Sequence, residues 1–350
     1  MTLRFWLLFL AVFMFKRQAQ ASSGTEGASF LDIPVGAGPA ALGSAYSAMA
    51  SNAYAPTWNP GGLGFIQNNE FAGQHLSYVD TIHYEYASFV HPLGKGRALG
   101  ASVQYLGTGD VAGTDINGDP AADYSAHYAA YSLAYGQSLG DKLSVGVTGK
   151  MINAKISDVS ANAYAFDLGS MYQFTKNLRL AGVLTNIGTR LTFIGQSDSL
   201  PFAFHLGAVY ATKYSLNVAA EGVYQQTGLA SFHTGLEWSP LAPVALRVGY
   251  KTDTLKGLSP LAGLTTGIGL NLWGYELSYA WVPLGDLGNT QYFSILCKFG
   301  ESASAKRNLI HYQALKPHSS IENNEDFESI QQLMELFDER DKTASQFKLR

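Results

Sequence analysis

The chain has little of what disulfide-held, nucleic-acid-binding or helical membrane proteins are built from. Its 350 residues include one cysteine, Cys297, so no disulfide can form within the chain. No cysteine stands near the N-terminus to carry a lipid, which argues against a lipoprotein. Charged residues make up 14%, against about 25% in an ordinary soluble domain. The formal net charge of −4 offers no basic face for nucleic acid. No stretch of about 18 apolar residues occurs, so no membrane-spanning helix is expected. Helical periodicity is almost missing between residues 70 and 299. Catalytic signatures are missing too. There is no Gly-x-Ser-x-Gly, His-Glu-x-x-His or phosphate loop, and the eight histidines are scattered rather than set at ligand spacing. Gly36-Ala37-Gly38 lacks the third glycine and the strand–turn–helix setting of a dinucleotide fingerprint. No cofactor or metal is implied.

What remains is rich in glycine and aromatics, with 37 Gly, 20 Tyr and 19 Phe. These residues are arranged with a period of two. Leu143, Val145, Val147 and Met151 alternate with Ser144, Gly146, Thr148 and Lys150. Leu216, Val218, Ala220 and Tyr224 alternate with Asn217, Ala219, Glu221 and Gln225. Val244, Leu246, Val248 and Tyr250 alternate with Ala245, Arg247, Gly249 and Lys251. Successive side chains point to opposite faces of a strand, so each set owns one face. Segments of roughly ten residues repeating this pattern between turns are the signature of an all-β fold, a transmembrane antiparallel β-barrel. The bulky set must meet lipid, because a charge there costs about 2–4 kcal/mol at the bilayer midplane. A water-soluble all-β protein is the competing reading of the same composition.

About fourteen strands are expected, near 69–79, 82–91, 97–107, 125–138, 142–155, 162–174, 177–188, 201–211, 214–226, 229–238, 243–251, 262–271, 273–282 and 289–299. Connections beginning near His91, Leu139, Phe174, Ala211, Ser239 and Asn271 are short. Others are long, notably 108–124, 189–200 and 252–261. Short periplasmic turns and long outer loops are the usual asymmetry. That parity puts both barrel ends in the periplasm, and an even count leaves no unpaired edge in lipid.

Four regions follow. Residues 1–21 read as a signal peptide. Arg4 is the positive region, Phe5 to Phe15 the apolar core and Ala19-Gln20-Ala21 the cleavage site. Lys16 and Arg17, between core and cleavage site, depart from the usual pattern. Residues 22–68 are a Gly/Ala/Pro-rich segment, and 69–299 are the barrel. Residues 300–350 are a charged tail expected in the periplasm, holding 16 of the chain's 50 charges. Ile330, Leu333, Met334 and Phe337 recur at helical spacing, which predicts one amphipathic helix within 325–341 after a disordered linker. It is either a docking helix for a periplasmic or secretion-machinery partner or a floppy extension.

Two clusters could bear function. In the loop 108–124, Asp115, Asn117 and Asp119 resemble the start of a calcium loop. Gly118 comes one place early and the distal Glu is missing, so a solvated outer loop is favoured. On the expected lumen faces lie Glu85, Lys150, Glu221, Glu237, Arg247, Lys251 and Glu276, with His205 and His233 turned inward as well. Buried charges must be paired or hydrated, and Glu237 could pair with Arg247 across a hairpin. These groups are either a polar network anchoring an internal segment or a path for a ligand or ion.

The segment before the first strand resembles the PorV/PorQ family, within the wider FadL-like barrels. The residues that carry this are Pro34-Val35-Gly36-Ala37, then Ala40-Ala41-Leu42-Gly43-Ser44-Ala45-Tyr46, then Trp58-Asn59-Pro60-Gly61-Gly62-Leu63. Gly235-Leu236-Glu237-Trp238, Leu246-Arg247-Val248-Gly249-Tyr250 and Leu287-Gly288 agree with it. The resemblance covers roughly residues 30–299. It implies a fourteen-stranded outer-membrane barrel whose N-terminal segment folds into the lumen as a hatch. Asn59 and Pro60 match a hatch motif in which an alanine follows, whereas Gly61 stands here. Pro60 fixes φ, and Gly61 and Gly62 are expected to permit a sharp turn beside the wall. The resemblance further implies a non-enzymatic role in type IX protein secretion and surface attachment. The alternative is a FadL-like transporter of hydrophobic small molecules. The tail departs from the family pattern, in which the chain ends with the last strand. Phe299, the expected closing aromatic, is not terminal here.

Overall fold

The computed structural model describes residues 26–299, apart from 80, 116, 242, 253–259, 286 and 287. The expected signal and the tail helix lie outside the described residues.

Period-two alternation over ten or so residues builds long strands, and fourteen of them close into one antiparallel barrel. In chain order these are β1 (Asn69–Ser77), β2 (His83–Gly94), β3 (Arg97–Gly107), β6 (Ala126–Leu139), β7 (Leu143–Ile156), β8 (Val159–Gln173) and β9 (Leu178–Gly188). They continue with β12 (Ala203–Ala211), β13 (Leu216–Gln225), β14 (Ala230–Leu241), β15 (Val244–Lys251), β16 (Leu264–Leu272), β17 (Tyr275–Pro283) and β18 (Asn289–Phe299). Closure comes from β1 pairing with β18, from Asn69 opposite Phe299 to Ser77 opposite Gln291. Every inner strand then has two neighbours, which a wall facing hydrocarbon requires.

Six connections at one end are short, and those at the other end, called the mouth below, include the long ones. Two of these long connections hold hairpins that the sequence pattern did not suggest. They are β4 (Val111–Thr114) with β5 (Pro120–Tyr124), and β10 (Leu191–Phe193) with β11 (Gln196–Asp198). At the other end Pro92 falls where the β2–β3 register shifts, a place that does not need its missing N–H.

The two faces of the wall differ in size. Leu133, Tyr164, Phe232, Trp238 and Leu277 lie open on the outside. Ala98, Ala134, Ala163, Ala219 and Ala280 point inward and are buried. Small inner residues leave room for a second layer, supplied by residues 26–68. This segment carries a helical turn at Ser29–Asp32, helices Ala37–Ala41 and Ala55–Trp58, and a 3-10 helix Pro60–Phe65. Its Val35, Ala41, Ala50, Ala53 and Leu63 are almost completely buried.

Candidate functional site

The N-terminal segment fills the lumen, and polar side chains of the wall hold it there. It starts at the mouth, where the Gly27 N–H donates to the Ser199 carbonyl at 2.8 Å and Phe30 packs on Tyr128 of β6, ring centroids 5.6 Å apart. It descends with helix Ala37–Ala41 packed against β15 to β18. Its 3-10 helix Pro60–Phe65 then packs against β3, β6, β7 and β8 before the chain enters β1.

A segment with so little regular structure leaves many backbone groups unpaired, and these must find partners when buried. The wall provides them. The Ala53 N–H donates to Glu70 at 3.0 Å, the Ser47 N–H to Glu221 at 2.9 Å and the Gly43 N–H to Thr265 at 3.0 Å. The Ala37 N–H donates to Ser294 at 3.0 Å, and the Gly36 N–H to Gln74. In the other direction, hydroxyls of Ser88, Thr148 and Thr265 donate to the carbonyls of Ala53, Pro56 and Ala41 at 2.6, 2.8 and 2.9 Å.

The Trp58–Gly62 motif is the tightest part of this seam. Trp58 donates its ring N–H to the Val35 carbonyl at 2.9 Å, tying the two ends of the segment together. Asn59 is fully buried. Its Oδ1 accepts from the Gly61 N–H at 2.9 Å, capping the 3-10 helix. Its Nδ2 donates to the carbonyls of Ser47 and, in the wall, Ser170, at 3.0 and 3.1 Å. Pro60 opens the helix, where its missing N–H is not needed. The expected reason for Gly61 and Gly62 needs correction, because neither has positive φ. Close approach is the reason. A Cβ on Gly61 would lie 2.9 Å from the Ser170 Cα, and one on Gly62 would overlap the Ala50 carbonyl.

Eight of the nine residues expected on the lumen face point inward. Glu237 and Arg247 face each other in the β14–β15 ladder and pair at 2.8 Å. Arg247 also reaches Glu276 at 2.6 Å and donates to Ser278 at 2.9 Å, while Asn217 donates to Glu237 at 3.1 Å. Lys150 pairs with Asp167 at 2.7 Å and donates to Asn186 at 2.8 Å. Glu221 takes His205 at 2.8 Å besides the Ser47 amide. His233 is buried beside Ser231, 3.0 Å away, and stands opposite Lys251 in register. These eight thus pair with partners on nearby strands around the inner wall.

Glu85 is the exception, and its placement on the lumen face is corrected. On β2 the inner face belongs to Tyr84, Tyr86, Ser88 and Val90, all buried. Tyr84 can turn inward because Gln104 donates to its hydroxyl at 2.7 Å, and Tyr86 because Thr57 donates to its own at 3.2 Å. Glu85 therefore projects outward, 2.6 Å from His75 on the outer wall.

Four inward-facing charges were not singled out from the sequence. Glu70 pairs with Lys298 at 3.1 Å across the closing seam. Asp167 is the partner of Lys150. Arg179 is fully buried, donates to Gln173 and Ser51 at 3.0 and 3.2 Å, and lies over the Phe65 ring. All four sit on the inner parity of their strands, a signal present in the alternation itself.

Above the hatch, at the mouth, is an open cavity of about 880 Å³. Phe30, Ile33, Tyr78, Leu106, Phe193 and Tyr292 line much of it. In the β4–β5 hairpin Asp115 accepts from the N–H groups of Asn117 and Asp119 at 2.8 and 2.9 Å, which holds its carboxyl below the usual value. The acidic run in this loop thus caps a turn. Among the described residues no group of three or more His, Cys, Asp or Glu could hold a metal.

The family model described as "Type IX secretion system protein PorV" matches residues 16–220. The chain belongs to the PorV family. That span takes in the hatch, the Trp58–Gly62 motif and the strands through the first half of β13. A search of curated proteins finds no match. Among solved structures the PorV-family barrel is similar to the toluene transporter TbuX of Ralstonia pickettii, with 16% identity and a TM-score of 0.56 over 76% of this chain and 98% of that one. It is also similar to the monoaromatic hydrocarbon channel CymD, with 13% identity and a TM-score of 0.54 over 77% and 99%. A FadL homologue of Pseudomonas aeruginosa has 12% identity and a TM-score of 0.50 over 75% and 97%. These likenesses establish a FadL-like fold. With the PorV match they place the protein in the bacterial outer membrane, its outer wall against lipid.

Proposed function

We propose that this PorV-family barrel serves type IX protein secretion and surface attachment as a non-enzymatic scaffold or shuttle. Its long connections face outward, and its barrel ends and charged tail lie in the periplasm. The observation that carries this reading is the hatch. A lumen filled by a segment with Asn59, Leu63 and Ala53 fully buried is built to stay shut. A shut barrel acts through its surfaces, namely the outer loops, the outer wall and the helix expected at 325–341 as a dock for a partner. The sequence supplies no nucleophile–base pair or metal centre that would support catalysis.

The test is deletion of the gene followed by comparison of the surface proteome. Loss of proteins bearing a C-terminal secretion signal from the cell surface supports the proposal. Their unchanged secretion sinks it.

The mouth cavity favours a second reading, a carrier of hydrophobic small molecules. The apolar part of its lining, beside Phe30 and Ile33 of the hatch, is what such a ligand needs, and the fold is shared with hydrocarbon channels. Under that reading the deletion strain would lose uptake of an aromatic or long-chain compound while secretion is untouched.

A further inference from the structure

The outer wall carries a recess of about 830 Å³ across β1, β2, β3, β6, β7 and β8, apart from the hatch and the mouth. It forms where outward positions hold residues too small to cover the backbone. In the ladders Phe89 stands opposite Ala101, Ala101 opposite Leu133, and Leu133 opposite Gly149. Gly149 meets nothing within 4 Å of where its Cβ would be. Phe71, Tyr131, Met151 and Tyr164 stand up around this floor. In a bilayer such a hollow cannot be left to water, and only hydrocarbon fits its lining.

Immediately beyond the recess, toward the mouth, the same strands change chemistry on the same face. Two residues on from Gly73 and Ala87 come His75 and Glu85, paired at 2.6 Å. Beyond Met151 and Tyr164 come Asn153 and Asn162, hydrogen-bonded at 2.8 Å. The strand ends carry His83 and His127, whose rings flank Tyr105 with centroids 6.1 and 6.0 Å away, and Lys155 opposite His127. Polar and basic side chains at lipid-facing positions are tolerated at headgroup level, where they meet phosphates.

We infer that this face is a discrete binding site for one phosphate-bearing, multi-acylated lipid of the outer leaflet. An acyl chain lies in the recess over Ala101 and Gly149, and the phosphorylated head meets Lys155 and the histidines at the rim. The leaflet rests on the outward orientation proposed for the mouth. The site does not depend on the secretion role, so a lost lipid with normal secretion, or the reverse, separates the two ideas.

The test is native mass spectrometry of the full chain extracted from outer membranes, then reloaded with purified lipopolysaccharide. The protein is expected to retain one such lipid. Gly149→Phe puts a ring into the recess from a position whose Cβ meets nothing within 4 Å and should cut retention at least tenfold, and Lys155→Ser should weaken it several-fold. Gly222 also has open space at its Cβ, on β13 and so outside the strands that form the recess, so Gly222→Phe should retain lipid like the parent. Equal retention by Gly149→Phe and Gly222→Phe overturns the site. So does retention of glycerophospholipid in its place, or of detergent alone.

Discussion

Asn59, in the N-terminal segment, donates its side-chain amide to the main-chain carbonyl of Ser170 in the barrel wall at 3.1 Å. With its bonds to Ser47 and Gly61 it joins three parts of the chain through one buried side chain. The fit is specific, since an amide supplies donors and an acceptor at once. Asn59→Ala leaves these backbone groups orphaned at about 1–3 kcal/mol each. Asn59→Asp keeps the acceptor for Gly61 and loses the donors. Heat-dependent gel migration in detergent should show Asn59→Ala unfolding at a clearly lower temperature, with Asn59→Asp also lowered. A melting point equal to the parent for both would mean that the motif does not secure the hatch.

Gly62 lies where a methyl group would meet the Ala50 carbonyl. Gly62→Ala should therefore displace the hatch while leaving the strands of the wall intact. Limited proteolysis of the folded protein should cut the variant within residues 26–66 and spare the parent. Gly222→Ala, with open space around it, should behave like the parent. Equal resistance of Gly62→Ala would contradict the close-approach account.

Arg247 holds two carboxylates, the buried Glu237 and the half-buried Glu276, at 2.8 and 2.6 Å. Removing one partner of such a group typically costs about 3–5 kcal/mol, because charge is left buried and uncompensated. Arg247→Met should lower stability by about that much. Adding Glu237→Gln and Glu276→Gln should restore a large share of it. If the triple variant is as unstable as the single one, the loss lies in packing rather than charge.

Asp115 caps the β4–β5 turn through backbone N–H groups that lower its carboxyl below 3.8. A lowered folded value means the cap is fully present above about pH 4 and is lost as pH falls through that folded value. Amide exchange at Asn117 and Asp119, corrected for intrinsic rate, should report a closed turn at pH 6 and an opening one only once the pH is taken well below 3.8. Asp115→Ala should be open at both. Indifference of the exchange to pH and to the substitution would count against the cap.

Much of this barrel is legible in the sequence, and the gaps have physical causes. Alternation such as Val145, Val147 and Met151 against Ser144, Thr148 and Lys150 reports a face directly, because each residue's side is fixed by parity. The six short turns were readable from the same pattern. The rule that bulky residues face lipid failed at Glu85, since Tyr84 and Tyr86 have lumen partners for their hydroxyls. Hairpins β4–β5 and β10–β11 have strands of three to five residues, too short for a period to declare itself. The pairing of Glu70 with Lys298 depends on how the barrel closes. The need for glycine at 61 and 62 comes from Ser170 and Ala50, which no local pattern near the motif reveals.

The most direct test of a shut, plugged barrel is single-channel recording in planar bilayers. The full chain should give no stable conductance steps, and the chain lacking residues 26–66 should give large ones. Steps of equal size from both proteins would contradict the account, because the hatch would then not close the lumen.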